Sequence, residues 1–296
     1  MGVFSMRLSP DLVALLPGPA DVAAYREHGW YIAPKVLSDA VLDGALEGAR
    51  RHWAGERDWK LPISDGFTDW KPGDPDAIRI GEIVALQNQE IRRLVEEPII
   101  GAIAARLAGT RTIRLWESEL ISKSPPEGSS VAKSAPVGWH TDRAYWMTCT
   151  SLEMLTAWIP FTDCPIEMGP LMVADGSHRW AGIEELREFQ NRDLAGVESR
   201  LLEGRDSVEK VSMALERGQM SFHNALTLHA SDINRSNRPR VSLALHLQDE
   251  SNRYRPYRNE RGELWQVVND RMCRKGPDGE PDYTDPDVCP VLWTED

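Results

Sequence analysis

The sequence predicts a mainly β protein with flanking helices, its strands closing as a barrel or a two-sheet jelly roll. Three observations carry this. The apolar period is helical up to about Leu107 and alternating from Thr112 onward. Short alternating runs then recur, separated by Gly, Pro, Asp and Ser turn signals. At 296 residues the chain is long enough to bury a real core, and sheet-based domains often reach this size without splitting. We expect one domain over 1–296, with a helical portion at 1–110, a core at 111–248 carrying a helical insertion near 181–203, and a lid or tail at 249–296.

Taken in order, Pro17 to Trp30 reads as an entry helix, with Asp21 as a candidate cap and Gly29 as its stop. A short strand from Trp30 to Val36 follows. Ser38 starts a second helix, whose Leu42, Leu46 and Ala49 form one apolar stripe for packing. Gly55 to Pro75, dense in Trp, Asp, Gly and Pro, is a loop anchored by Trp59 and Trp70. Ile91 to Leu107 is helical and interrupted at Pro98.

The strands are expected at Thr112–Ser122, Leu152–Phe161, Gly169–Val173, Gly218–His223 and Pro239–Gln248. Ser124 to Pro136 is a loop rich in Pro, Ser, Gly and Lys. Asp175-Gly176-Ser177-His178 is a turn, in which His178 reads as structural. Ile183 to Leu202 is a charged helical insertion.

Composition excludes several function classes. A net charge of -12 argues against nucleic acid or an anionic membrane surface as the main partner, since both require clustered positive charge. Any anionic ligand must be held by local arginines. The stretch Met1 to Leu16 carries no apolar run approaching the length of a membrane span, so a soluble, unexported protein is expected. Four cysteines, with no Cys-x-x-Cys pair, read as reduced thiols of a cytoplasmic protein.

The chemistry gathers at Trp139-His140-Thr141-Asp142 and at His229-Ala230-Ser231, with Arg240 eleven residues after the second histidine. With 7 His and 46 acidic residues, about one His-x-Asp/Glu triplet is expected by chance, so context must carry the assignment. On an extended strand, residues i and i+2 share a face, so His140 and Asp142 can chelate one ion. With His229 they would form the two-histidine, one-carboxylate facial set of oxygen-activating non-haem Fe(II). His223, six residues before His229, competes for the third place but lacks the following serine and the spaced arginine. His246 shares a strand face with Arg240 and Ser242, where it either lines a cavity or is a hydrogen-bonded core residue.

Together, Trp-His-x-Asp at 139–142, the Gly-Pro-Leu strand ending in Gly176-Ser177-His178, Phe222-His223, and His229-x-Ser231 followed by Arg240 resemble the phytanoyl-CoA dioxygenase family of Fe(II)- and 2-oxoglutarate-dependent oxygenases. The resemblance runs from about Trp139 to Gln248. It implies a double-stranded β-helix, a cupin-like jelly roll, with His140, Asp142 and His229 as iron ligands and O2 as oxidant. It implies that Arg240, helped by Ser231, holds the distal carboxylate of 2-oxoglutarate, with Trp158 beside the co-substrate. The physical chemistry agrees, because a planar guanidinium presents two parallel donors to a carboxylate. Ser242 is a second hydroxyl candidate. The implied reaction hydroxylates a small molecule and releases succinate and CO2; related halogenases replace the carboxylate with a small residue, so Asp142 favours hydroxylation. The rival readings are a non-catalytic jelly-roll metal-binding protein and a cupin-type metalloenzyme without 2-oxoglutarate. Neither has a need for Arg240 and Ser231.

For the substrate, Asn252 to Arg261 forms a basic and aromatic cluster just past the Arg240 strand. It is either a solvated loop balanced by Glu250, Glu260 and Glu263, or a lid in which Arg253 or Arg255 clamps a carboxylate or phosphate. On the lid reading, Tyr145 and Trp146 form the apolar wall opposite.

Overall fold

The computed structural model describes residues 7–126, 134–201 and 207–295. Its N-terminal helices start where capping side chains satisfy their first N–H groups. α1 (Pro10–Ala14) begins at Ser9 and α3 (Asp39–Trp53) at Ser38; each hydroxyl accepts from a backbone N–H three residues on. α2 (Pro19–His28) ends on left-handed Gly29, as expected. Asp21 is not its first cap: it lies in the first turn and accepts from the Gly18 N–H at 2.8 Å. The helix interrupted at Pro98 is a pair, α4 (Gln89–Val95) and α5 (Pro98–Ala108), with Pro98 in the turn where a missing N–H is harmless.

A large antiparallel sheet is built from β1 (Trp30–Ala33), β2 (Ile78–Glu82), β3 (Thr112–Lys123), β5 (Leu155–Pro160), β8 (Met220–Asn224), β10 (Arg240–Asp249) and β13 (Val291–Thr294). Its order is β1-β8-β5-β10-β3-β13, with β2 also paired to β3. A smaller antiparallel sheet, β4-β9-β6-β7, is made of β4 (Val137–His140), β9 (His229–Ser231), β6 (Leu171–Ala174) and β7 (Lys210–Ser212). The core is therefore the expected jelly roll. Alternation along β10 decides what each face does. Leu243, Leu245 and Leu247 pack with Ile99, Ile103 and Leu107 of α5 into the main apolar core. Arg240, Ala244 and His246 turn inward, toward the small sheet.

Several expectations change. β2 and β7 were not foreseen, both being short strands at sheet margins. Trp70 anchors its loop, packing edge-on against Trp53 at 5.9 Å, but Trp59 is 40% exposed and anchors nothing in the core. In the insertion only α6 (Leu194–Leu201) is helical; 183–193 is irregular, and Leu202 lies outside the described residues. So do 1–6 of the N-terminal stretch and 127–133 of the loop between β3 and β4. The tail is more than a lid. It forms the hairpin β11 (Tyr257–Arg258) and β12 (Leu264–Trp265), then α7 (Val268–Met272), and returns as β13 to pair with β3. No helix among the described residues is long and apolar enough to cross a membrane. All four cysteines are buried and free.

Candidate active site

β4 ends at His140, and Asp142 opens a 3-10 turn reaching Tyr145. The shared face expected of a continuous strand is supplied instead by the extended backbone of Thr141 (φ -111, ψ 143). The pairing of β4 with β9 sets His140 directly opposite His229, with ring centroids 4.0 Å apart. One ligand atom each from His140, Asp142 and His229 lies within 4.8 Å of the others. All three side chains are buried.

Their orientation is held from behind. His140 Nδ1 meets the Gly138 carbonyl at 2.8 Å and His229 Nδ1 the Thr227 carbonyl at 2.9 Å, which leaves both Nε2 atoms as free acceptors for a metal. Gly138 is required here, since a Cβ would stand 1.8 Å from the Glu188 carbonyl oxygen. Asp142 turns Oδ1 toward His229 Nε2, 3.4 Å away, while its Oδ2 accepts from the Thr156 hydroxyl at 2.5 Å and lies 3.2 Å from His223 Nε2. Burial pushes the pKa of both His140 and His229 down, keeping the imidazoles neutral. Burial opposes the charge on Asp142, but His229, His223 and His246 around it hold its carboxyl well below the usual range. Two neutral imidazoles and one carboxylate form the donor set for a divalent iron with open positions.

Beyond this triad a narrow cavity of about 40 Å³ runs to Arg240. Arg240 is 2% exposed, Nη1 donates to the Gly169 carbonyl at 2.8 Å, and Nε has no partner. Gly169, at φ +62, leaves no room for a side chain beside the Asp232 carbonyl. Among the described residues no carboxylate pairs with this guanidinium. Burial lowers its pKa to about 10, so it remains charged at neutral pH. A buried cation without an anion is expensive, and the site fits a ligand that brings its own carboxylate. Trp158 lies 5.5 Å below the guanidinium carbon and lines the same cavity. The Ser242 hydroxyl is buried and unpartnered. The Ser231 hydroxyl accepts from Lys123 Nζ at 2.7 Å, leaving its own proton to donate.

Lys123 is a functional neighbour that sequence reasoning missed. It is wholly buried on β3 directly across from Arg240 and also donates to the carbonyls of Ser231 and Asp232. His223 stands behind Asp142 and falls outside the ligand triad. His246 lines the cavity, with Nδ1 2.8 Å from the Thr156 hydroxyl. His178 is structural, its Nε2 bonded to the Arg26 carbonyl.

On the other side of the triad opens a wider cavity of about 340 Å³. Tyr145, Trp146 and His246 line it. Arg253 and Arg255 do not. Residues 253–255 run alongside 148–150, and both exposed guanidinium groups donate to backbone carbonyls, of Glu250 and Asn252 and of Met147 respectively. The expected clamp for an anionic substrate group is therefore not formed by this pair. The cavity wall holds instead Glu82, Glu117 and Glu119, with Phe189 and Trp265. Burial, reinforced by the neighbouring Glu82, pushes Glu119 up to about 8 and Glu117 well above the ordinary range. A signal existed for two of them, because Glu117 and Glu119 alternate along a predicted strand; Glu82 sits on the unforeseen β2.

Comparison with known proteins agrees with this geometry. The sequence matches the family described as phytanoyl-CoA dioxygenase (PhyH) over residues 25–242. Among solved structures, the α-ketoglutarate-dependent carbocyclase SnoK of nogalamycin biosynthesis is 25% identical, with 93% of this chain and 96% of that chain covered and a TM-score of 0.67. The epimerase SnoN, solved with Fe3+, α-ketoglutarate and nogalamycin RO, is also 25% identical, covering 95% and 98% at 0.66. EctD from S. alaskensis, solved with 2-oxoglutarate and 5-hydroxyectoine, shares the fold at 18% identity, covering 84% and 81% at 0.61. Among curated proteins none matches. The chemistry of the centre is iron- and 2-oxoglutarate-dependent oxidation. A triad ready for iron, a buried arginine awaiting a carboxylate and a family match across most of the chain lead to one conclusion: the chain belongs to the phytanoyl-CoA dioxygenase family of Fe(II)- and 2-oxoglutarate-dependent oxygenases.

Proposed function

We propose that the protein is a dioxygenase that hydroxylates an unactivated C–H bond of a small-molecule metabolite. The observation that carries this is Arg240, a buried guanidinium with no protein anion, placed across a narrow cavity from the triad. His140, Asp142 and His229 would hold iron, and Arg240 with Ser231 and Ser242 would take the distal carboxylate of 2-oxoglutarate beside Trp158. Iron with 2-oxoglutarate and O2 supplies an oxidant able to take hydrogen from an aliphatic carbon, with succinate and CO2 released. The protein's part is positioning. Thr156 and His223 fix one oxygen of Asp142, so the other would be left to hold the metal. Tyr145 and Trp146 wall the wider cavity, where the substrate carbon would be presented.

A second outcome is supported by the carbocyclase and epimerase among the similar structures, namely that the same hydrogen abstraction ends in ring closure or inversion. Adding Fe(II) and 2-oxoglutarate without oxygen tests the shared part: a visible charge-transfer band is expected, and it should be weaker in Arg240→Leu at the same sub-saturating 2-oxoglutarate concentration. A substrate-library screen scored by succinate release, with product mass, then separates hydroxylation (a gain of one oxygen) from cyclisation or epimerisation. No band in the wild type removes the reading.

A further inference from the structure

The wider cavity is acidic in a way the oxidation itself does not require. β2 and β3 pair so that Glu82 lies directly opposite Glu119, and Glu117 follows on the same face of β3, opposite His246 on β10. Carboxylates set directly across a strand pair repel each other and weaken the sheet. Among the described residues no cation on the cavity wall relieves this, and the cost shows, beside that of burial, in the raised pKa of Glu117 and Glu119. Among the described residues, no Lys or Arg lines the cavity, and neither Glu117 nor Glu119 has a hydrogen-bond partner. Glu82 accepts one backbone N–H, from Thr68. The guanidinium of Arg187 stacks on the Trp265 ring at 4.3 Å, but Arg187 is not among the lining residues.

A second feature points to a ligand. His246 is 93% buried by its 7% exposure, and its Nδ1 is taken by Thr156; its Nε2 has no protein partner, and the ring forms part of the cavity wall. Because the Thr156 hydroxyl gives its proton to Asp142, Nδ1 is the donor in the contact with Thr156, which leaves Nε2 as an acceptor beside the acids. Tyr145, Trp146 and Trp265 add ring faces to a wall that also holds Ile80, Gln190 and Gln266. Carboxyl groups, a neutral imidazole nitrogen and ring faces share one preference, for a cation that donates hydrogen bonds.

We propose that this cavity selects a substrate bearing a cationic nitrogen, an ammonium or a guanidinium. Glu82, Glu117 and Glu119 receive the charge while the aromatic residues flank the attached carbon skeleton. The inference rests on reading this cavity as the substrate chamber of an iron- and 2-oxoglutarate-dependent oxygenase. It reverses the anionic substrate expected from Arg253 and Arg255. It also explains why three carboxyl groups stand without a cation beside the triad, since the ligand would bring the missing positive charge, as 2-oxoglutarate would bring the negative charge that Arg240 lacks.

The test is calorimetry on the full chain, with and without Fe(II) and 2-oxoglutarate under anaerobic conditions. The probes are 2-phenylethylamine, cyclohexylmethylamine and benzylguanidine, each against the alcohol of the same skeleton, with 3-phenylpropanoate as the anionic control. At least one cationic probe should bind tenfold or more tightly than its alcohol, and the carboxylate should bind worst. In Glu117→Gln/Glu119→Gln that preference should disappear while alcohol affinity is unchanged. The Glu119→Gln single variant, checked by thermal melting, covers the case in which the double variant does not fold; it should reduce the preference and melt no lower than wild type, because it removes a carboxyl group whose charge burial and Glu82 already disfavour. No preference for any cationic probe, including no binding at all, overturns the inference, as does a preference that survives both variants. The charge-transfer band is read on the same samples. A band without cation preference defeats this inference alone, and cation preference without a band defeats the oxygenase reading alone.

Discussion

The two ends of the inner face of the large sheet carry opposite charge on the same strand. At one end of β3, Lys123 stands across from Arg240; four residues back, roughly 13 Å at the rise of a strand, Glu119 stands across from Glu82. The triad lies between them, sharing His140 and Asp142 with both cavities. The basic end is closed and internally organised, with Lys123 bonded to Ser231 and Arg240 to Gly169. The acidic end is wider, and Glu117 and Glu119, side by side on β3, have no cation beside them on its wall among the described residues. A site that always receives the same co-substrate can be built tight around one cation. A site that admits a larger molecule keeps its charges unpaired until that molecule arrives.

The largest effects should come from removing what the two ends share. His140→Ala or His229→Ala is expected to abolish iron binding, read by metal analysis, with the fold retained in circular dichroism. His223→Ala should retain most of the metal, because His223 reaches only the far oxygen of Asp142. The assignment fails if His223→Ala empties the site and His229→Ala does not.

Next in size is the basic end. Arg240→Leu deprives the co-substrate carboxylate of its charged partner, and hydrogen bonds to charged groups are worth about 1.5–3 kcal/mol, so 2-oxoglutarate affinity should fall roughly tenfold to a hundredfold or more. Iron affinity without co-substrate should hardly change. The variant should melt no lower than wild type in the absence of 2-oxoglutarate, since a buried unpaired charge has been replaced by an apolar group of similar length. Equal 2-oxoglutarate affinity would take Arg240 out of the site.

How much of this was readable beforehand differs between the two ends for a physical reason. His140, Asp142, His229 and Arg240 sit on or beside strands at local spacings that survive folding, so residue type and separation, weighed together with the family resemblance, were enough to propose them. The acids depend on cross-strand register. Glu82 meets Glu119 only because β2 pairs with β3, and β2 follows a loop dense in Pro and Gly with no repeating pattern to announce a strand. Phe189 and Trp265 come from an irregular insertion and a hairpin in the tail, where nothing local marks a cavity wall. Asp142 illustrates the converse: its position relative to His140 was foreseen, although a 3-10 turn and not a strand carries it.

A smaller effect is expected at Thr156, which lines the narrow cavity and sets the ligand between the two ends. Its hydroxyl donates to Asp142 Oδ2 and contacts His246 Nδ1. Thr156→Val keeps the shape and removes both bonds, leaving His223 to orient the carboxylate. Groups that orient a metal ligand are typically worth ten- to a hundredfold in metal affinity, and with one of two supports left the loss should be about tenfold. Iron titration measures this. At saturating iron, 2-oxoglutarate affinity should remain that of wild type, and a fall as large as in Arg240→Leu would show that the two ends are not separable.

The smallest effect is expected from Arg253→Ala and Arg255→Ala, and it bears on which charge the substrate carries. Both side chains are exposed, both donate to backbone carbonyls, and neither lines a cavity beside the triad. The backbone of the segment is held independently, by Thr150 N–H to the Arg253 carbonyl and Arg255 N–H to the Thr148 carbonyl, so truncating the side chains should not release it. Water competes for exposed hydrogen bonds of this kind, so their loss should cost little stability. Substrate KM should therefore change less than about twofold in either variant, where loss of a direct contact to a bound anion would cost tenfold or so, about 1.4 kcal/mol. A tenfold rise in substrate KM, with the 2-oxoglutarate KM unchanged, would place a negative group of the substrate at the tail. It would require the acidic cavity wall to face something other than the charged end of that molecule.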